Sequence, residues 1–110
     1  MSSKNIINFA TLGAGASNVI EYPTAIPAGK TWVIRVFGAC DINMGDSKSS
    51  EYMLRLGSEN IQPIVVTGDT HEIRDIPEIT GDGSKKIGVY VKNNSVHPKA
   101  MPFWIRAYER

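Results

Sequence analysis

The chain has 110 residues, with 12 lysine and arginine residues against 11 aspartate and glutamate residues, for a formal net charge of +1. This length fits one domain, and folding would bury roughly two-thirds of the unfolded chain's surface, enough for a core without disulfides or metal. The near balance of charge gives no electrostatic argument for binding nucleic acid or an anionic membrane.

The single cysteine and the hydropathy pattern indicate where in or outside a cell the chain is expected. Cys40 has no second cysteine to pair with and lies in an apolar segment, which predicts a buried structural thiol. No stretch approaches the ~20 apolar residues that span a membrane, and the polar N-terminus lacks the apolar core of a signal peptide. We therefore expect a chain that is made inside a cell and kept there, or packed into a particle assembled there.

The first seventeen residues differ in composition from the rest of the chain. An apolar segment at residues 6–12 is followed by Gly-Ala-Gly-Ala-Ser at residues 13–17. Glycine lowers the stability of any regular element, so this stretch predicts a flexible N-terminal arm or an edge strand with a mobile joint. We assign residues 1–17 to the arm and residues 18–110 to the folded domain.

The domain reads as a series of short strands separated by turn residues. The candidate strands, each rich in β-branched or aromatic residues, are residues 19–22, 30–42, 51–56, 61–67, 85–92 and 101–109. Pro63 predicts an edge strand or a bulge, and residues 71–80 predict an extended, irregular course around Pro77. With turn signals every 8 to 15 residues and no amphipathic helix, the pattern predicts an all-β sandwich or barrel.

The longest strand, residues 30–42, organises the rest. Simple alternation divides it into two faces. One face is apolar throughout and is predicted to point into the core: Trp32, Ile34, Val36, Gly38, Cys40 and Ile42. The other face carries Val33, Arg35 and Phe37. It has too much apolar surface to be exposed only to water, so we expect the arm or a partner chain to cover it.

Motifs of catalysis and ligand binding are incomplete in this sequence. Gly29-Lys30-Thr31 matches the end of a phosphate-binding loop, but Thr24 replaces the required first glycine, and a strand follows instead of a helix. Residues 41–46 begin like a calcium loop with the glycine misplaced, which leaves a surface calcium site a minor alternative to solvated turn aspartates. His71 and His97 have no third ligand at a recognisable spacing. We predict no catalytic, cofactor-binding or metal-binding residues, and no cofactor.

Four aromatic residues have three possible roles. Trp32, Tyr90, Trp104 and Tyr108 fit a core position first, an oligomer contact second and a ligand platform third.

The chain resembles the small jelly-roll proteins of tailed-phage particles, especially capsid decoration (cement or staple) proteins. The resemblance rests on the short arm, on the Ile-Pro-Ala-Gly-Lys-Thr-Trp start of the long strand at residues 26–32, and on the terminal strand at residues 103–108. It implies a jelly-roll-like antiparallel β-sandwich of about eight strands. It also implies a non-enzymatic protein of the capsid surface that is synthesised in the host cytoplasm, binds the major capsid protein and forms dimers or trimers.

Such a protein needs contact residues for its partners. We expect these on the arm and on the second face of the long strand: Ile6, Ile7, Phe9, Leu12, Val33, Arg35 and Phe37. The alternative function is a carbohydrate- or receptor-binding β-sandwich, which predicts a solvent-facing aromatic pair such as Trp104 with Tyr108. A cupin-type enzyme would require clustered histidine and glutamate ligands, and two distant histidines argue against it.

Overall fold

The computed structural model describes residues 2–40, 50–66 and 69–110. Those residues form nine β-strands and no helix: β1 (Ser2–Leu12), β2 (Ser17–Glu21), β3 (Thr31–Cys40), β4 (Ser50–Leu56), β5 (Glu59–Val66), β6 (Thr70–Ile73), β7 (Ile79–Thr80), β8 (Ile87–Asn93) and β9 (Lys99–Glu109). The calcium-loop candidate at residues 41–46 lies outside the described residues.

The strands form two antiparallel sheets. One has the order β1-β9-β3-β6, with β7 also pairing with β3, and the other has the order β2-β8-β4-β5. The pairing is nested, because β1 pairs with β9, β2 with β8, β3 with β6 and β7, and β4 with β5. A chain that doubles back on itself in this way and wraps into two facing sheets, here of five and four strands, has the jelly-roll topology. The predicted all-β sandwich is confirmed.

The innermost hairpin is fixed by its turn. Only Gly57 and Ser58 separate β4 from β5, and Gly57 has a φ of 59°. A two-residue turn of the II′ type needs a positive φ at its first central position, where glycine adopts it without strain. This local pairing is the one around which the more distant strand pairs are nested.

The core lies between the two sheets and follows the alternation of their strands. In β4, β8 and β9 the inward residues are those that the alternation predicts: Tyr52, Leu54 and Leu56, then Ile87, Val89 and Val91, then Met101, Phe103, Ile105 and Ala107. Most are less than 6% exposed. At roughly 1.5–3 kcal/mol for each fully buried large apolar side chain, these three strands supply much of the hydrophobic stabilisation.

The long strand β3 departs from simple alternation. Ile34 pairs with Ala107 and Val36 with Arg106, so Arg35 is an extra residue that forms a β-bulge. Before the bulge Trp32 and Ile34 face the core, whereas after it Phe37 and Ala39 do. The predicted two faces of this strand were therefore right as far as Ile34 and wrong beyond it. Cys40 is only half-buried, because the bulge gives the inward position to Ala39.

The N-terminal residues form part of a sheet. β1 pairs with β9 without interruption from Ser2 opposite Glu109 to Leu12 opposite Lys99. Ala10 and Leu12 are each 8% exposed and belong to the core. Of the two alternatives, residues 2–12 form the edge strand, which pairs along its whole length with the last strand of the domain. Truncation of residues 2–17 would accordingly remove a strand and part of the core.

Candidate binding surface on the outer face of a sheet

The outer face of the β1-β9-β3-β6 sheet carries two adjoining depressions. One has a volume of about 370 Å³ and is lined by Ser2, Ser3, Asn5, Arg35, Arg106, Ala107 and Tyr108. The other has a volume of about 290 Å³ and is lined by Ile7, Val36, Glu72, Arg74, Trp104 and Arg106. Arg106 borders both. We call these two depressions together the outer-face site.

Other depressions on the described surface are less suited to binding. The outer face of the β2-β8-β4-β5 sheet has one of about 70 Å³ beside Tyr90. A depression of about 290 Å³ lies between β5 and β7, but it is lined by Glu59 and Glu78 and contains no aromatic ring. The outer-face site combines greater extent with aromatic rings and guanidinium groups, so it is the best candidate.

Trp104 is the centre of the outer-face site. Its Cα lies opposite Ile7 on one side and opposite Gly38 on the other. A Cβ built on Gly38 would lie 2.3 Å from Cε2 and Nε1 of the indole, so the ring occupies space that only glycine leaves free. The indole Nε1 donates a hydrogen bond of 2.9 Å to Oε2 of Glu72, which is opposite Gly38 on β6. The ring is therefore held across three strands.

The bulge in β3 determines which side chains surround Trp104. Arg35 lines one depression and the next residue, Val36, lines the other, so two consecutive residues lie on the same face of the sheet. Regular alternation would send one of them inward. The guanidinium carbon of Arg35 lies 5.0 Å from the centroid of the Tyr108 ring, within the range of a cation–π contact. The bulge thus adds a cation to one end of the site.

The outer-face site has an excess of positive charge. It contains Arg35, Arg74 and Arg106 against the single carboxylate of Glu72. Glu72 already accepts hydrogen bonds from Trp104 and, at 3.3 Å, from Arg74. Among the described residues, neither Arg35 nor Arg106 forms an ion pair with a carboxylate. An anionic group on a ligand would therefore meet two guanidinium groups that no carboxylate of the described residues neutralises.

The predicted contact residues are divided between the surface and the interior. Ile7 is 78% exposed, Arg35 is exposed, and Val33 is half-buried on the outer face opposite Tyr108. Phe37 is completely buried, Leu12 belongs to the core and Ile6 packs partly against it. The side chains of Phe37 and Leu12 therefore face the interior, and that of Ile6 is half-buried. The backbone of Phe9 pairs with Pro102, and its side chain lies outside the described part of the structure.

The aromatic residues also take different positions. Trp32 is buried in the core, where its Nε1 donates a 3.1 Å hydrogen bond to Oε1 of Glu109. Trp104 and Tyr108 are half-buried on the outer face, and Tyr90 is half-buried on the opposite side of the sandwich. Alternation along β9 was enough to place Trp104, Arg106 and Tyr108 on one face. The contributions of Val36 and Glu72 were missed, because they depend on the bulge and on the pairing of β6.

Two other sequence motifs have structural roles. Gly29-Lys30-Thr31 is a turn, as predicted: Gly29 has a φ of 80°, and the amide of Lys30 donates to the carbonyl of Pro27 at 3.0 Å. Asn93, the first residue of a glycosylation-type triplet, has no exposed surface. Its Nδ2 donates to the carbonyls of Leu12, Gly13 and His97, which joins the loop after β1 to the loop after β8. The folded protein therefore does not present this amide for modification.

The chain matches no protein-family model and no curated protein. Within residues 2–40, 50–66 and 69–110, no group of three or more histidine, cysteine, aspartate or glutamate residues could hold a metal ion. The same residues include no helix long and apolar enough to cross a membrane.

Proposed function

We propose that the protein is a non-enzymatic structural protein of a tailed-phage particle, which decorates the capsid surface and stabilises it by bridging major capsid protein subunits. In this proposal it is made in the host cytoplasm, joins the assembled particle and also associates with itself. The jelly-roll topology supports the proposal, because it supplies a rigid domain with broad sheet faces. So does the resemblance of the chain to decoration proteins in size, strand rhythm and the start of its long strand.

The observation that carries the proposal is the composition of the outer-face site. Tryptophan, tyrosine and arginine are the residues most enriched where single side chains dominate protein–protein affinity. Here Trp104, Tyr108 and Arg106 alternate along one strand and point outward together. Because Trp104 is already held by Glu72 and Gly38, binding would require little further ordering of its side chain.

The charge of the site defines the chemistry of the partner surface. Two guanidinium groups that pair with no carboxylate in the described part of the chain favour an acidic patch on the capsid protein, with an apolar group between its acids to meet Trp104 and Ile7. Complementary charge of this kind accelerates association and selects the partner. It also makes the association weaker at high salt, because exposed charges are screened.

The proposal is tested by expressing the gene together with its flanking genes and purifying any particles that form. We expect the protein in the particle fraction at a fixed ratio to the major capsid protein, and density for it on the outer surface in electron cryomicroscopy. A particle fraction free of the protein, or flanking genes that encode no virion component, would refute the capsid role.

A second candidate is a carbohydrate- or receptor-binding module, and one observation favours it. Trp104 and Tyr108 lie four residues apart on the same side of β9, with Arg106 between them, on a face open to solvent. Aromatic rings of this kind can stack on sugar rings, and the arginines would select acidic sugars. A glycan array distinguishes the candidates: binding lost in Trp104→Ala supports the module, whereas an array without a hit argues for a protein partner.

A further inference from the structure

The four edges of the two sheets differ in how well they are protected. Natural proteins protect sheet edges with short strands, prolines, bulges and charges. β6 has four residues and β7 two, while β2 has five and ends in Glu21. β5 contains Pro63, and its register with β4 shifts between Leu54 and Arg55, which makes Ile61 an extra residue. Each of these edges carries at least one protective feature.

β1 carries almost none of these features. It is an eleven-residue edge strand whose pairing with β9 has no register shift, and no other described strand pairs with it. It contains no proline, and Lys4 is its one charged residue. One side of its backbone is therefore a long, regular row of amide and carbonyl groups that a further strand could pair with.

The sequence of β1 suits pairing with a second copy of itself. In an antiparallel pair that uses the whole strand, residue 2 lies opposite residue 12 of the copy, and Ile7 at the midpoint lies opposite Ile7 of the copy. Lys4 then lies opposite Ala10, so the two lysines stay apart. Outward residues of one copy also meet outward residues of the other. This register therefore continues the outer face from one molecule to the next.

Ile7 is the residue that the pairing would shield. At 78% exposure it is the most exposed large hydrophobic residue of the described chain, and it lies beside Trp104. In the full-length register its side chain would meet its own copy on the two-fold axis. The sequence Trp104–Ile7–Ile7–Trp104 would then cross the junction as one apolar row.

We propose that two copies of this chain form a two-fold dimer by antiparallel pairing of their β1 strands, centred on Ile7. Full pairing of eleven residues adds about ten backbone hydrogen bonds, the number found in a typical specific interface. The net charge of +1 opposes this association little. The dimer joins the five-stranded sheets of two molecules into one and doubles the area of the outer-face site. It rests on the self-association included in the proposed function, but not on capsid binding.

Cysteine cross-linking tests the register directly. The background is the full chain with Cys40→Ser. We expect Ile7→Cys to form a disulfide-linked dimer with oxidised glutathione, since opposed residues have Cα atoms about 4.5–5.5 Å apart. Ser3→Cys alone should stay monomeric on denaturing gels, because the two positions would be eight residues, about 27 Å, apart. A mixture of Ser3→Cys and Thr11→Cys should cross-link, because the register places them opposite each other.

Sedimentation equilibrium gives the second readout. We expect a dimer mass for the wild type at micromolar concentration and at least a tenfold weaker dimer for Ile7→Lys, whose two charges would meet on the axis. Ile7 is exposed in the single chain, so this variant should keep the far-ultraviolet circular dichroism spectrum of the folded wild type. A monomeric wild type, a dimer unaffected by Ile7→Lys, or equal cross-linking of Ile7→Cys and Ser3→Cys would overturn the proposal. None of these results bears on capsid binding, which the particle fraction measures separately.

Discussion

The indole of Trp104 lies in the space that a side chain on Gly38 would occupy, on the outer face of the sheet. The position of Trp104 thus depends on a residue without a Cβ on the neighbouring strand. Gly38 therefore has a role beyond the backbone of β3: it allows Trp104 to reach Glu72.

Substitution of Gly38 tests this relationship. Gly38→Ala should displace the indole, remove its hydrogen bond to Glu72 and lower the free energy of unfolding by about 1–2 kcal/mol. The half-buried ring can swing toward solvent, which limits the loss. We expect a red shift in tryptophan fluorescence, because the indole of Trp104 becomes more exposed to water. The other tryptophan, Trp32, remains buried and should not contribute to the change. An unchanged spectrum and an unchanged stability would show that the ring is not held against Gly38.

Gly81 offers a contrasting case. A Cβ there would meet the carbonyl oxygen of Ile26 at 2.4 Å, and a buried backbone cannot swing away as an exposed ring can. Gly81→Ala should therefore destabilise the domain by about 2–3 kcal/mol in urea unfolding. The control is Gly13→Ala, where no atom lies within 4 Å of the new Cβ, and we expect a change within about 0.5 kcal/mol. Equal effects of the two substitutions would contradict this packing.

Asn93 connects two loops from a fully buried position. Its Nδ2 donates to three carbonyls, and its Oδ1 accepts a 2.8 Å hydrogen bond from the amide of Ser95. Asn93→Ala leaves buried polar groups without partners, so we expect a loss of about 2–4 kcal/mol in unfolding free energy. The neighbouring Asn94→Ala removes one hydrogen bond to Glu51 and should lose about 1 kcal/mol or less. A smaller loss for Asn93→Ala than for Asn94→Ala would refute the connecting role.

Asp82 makes the free energy of unfolding depend on pH through the turn that it stabilises. Its Oδ1 accepts hydrogen bonds from the amide and hydroxyl of Ser84 and from the amide of Lys85. The backbone hydrogen bond from Ser84, above all, lowers the pKa of the Asp82 carboxyl below its ordinary value of 3.8. On acidification, the Asp82 carboxylate of the unfolded state therefore binds a proton before that of the folded state does. The contribution of Asp82 to the free energy of unfolding is complete above pH 3.8 and falls as the pH drops through the folded-state pKa.

The prediction is measured by urea unfolding across the acid range. Asp82→Asn should be less stable than the wild type near neutral pH, and the difference should shrink as the solution is acidified. A difference that is constant with pH, or one that grows on acidification, would exclude the carboxylate hydrogen bonds as its cause.

Most of the fold could be predicted from the sequence, because hydrophobic alternation marked the inward faces of β4, β8 and β9. The inward face of β3 could not be predicted beyond Ile34. An extra residue at Arg35 is visible only in the register with β9, and single-strand alternation assigned Phe37 to the surface. The adjacent apolar pair Val36-Phe37 is the local sign of the break. The sequence likewise did not decide between an arm and an edge strand for residues 2–12, since that depends on pairing with β9, nearly a hundred residues away.

The outer-face site as a protein-binding surface is the central claim, and binding to particles tests it most directly. Purified wild type and Trp104→Ala would be cosedimented with particles that lack the protein. The matched control is Tyr90→Ala, which removes a half-buried ring stacked at 4.7 Å on Arg55 on the opposite sheet. We predict at least a tenfold loss of affinity for Trp104→Ala and wild-type binding for Tyr90→Ala. Wild-type binding by Trp104→Ala, or an equal loss in both folded variants, would contradict the account.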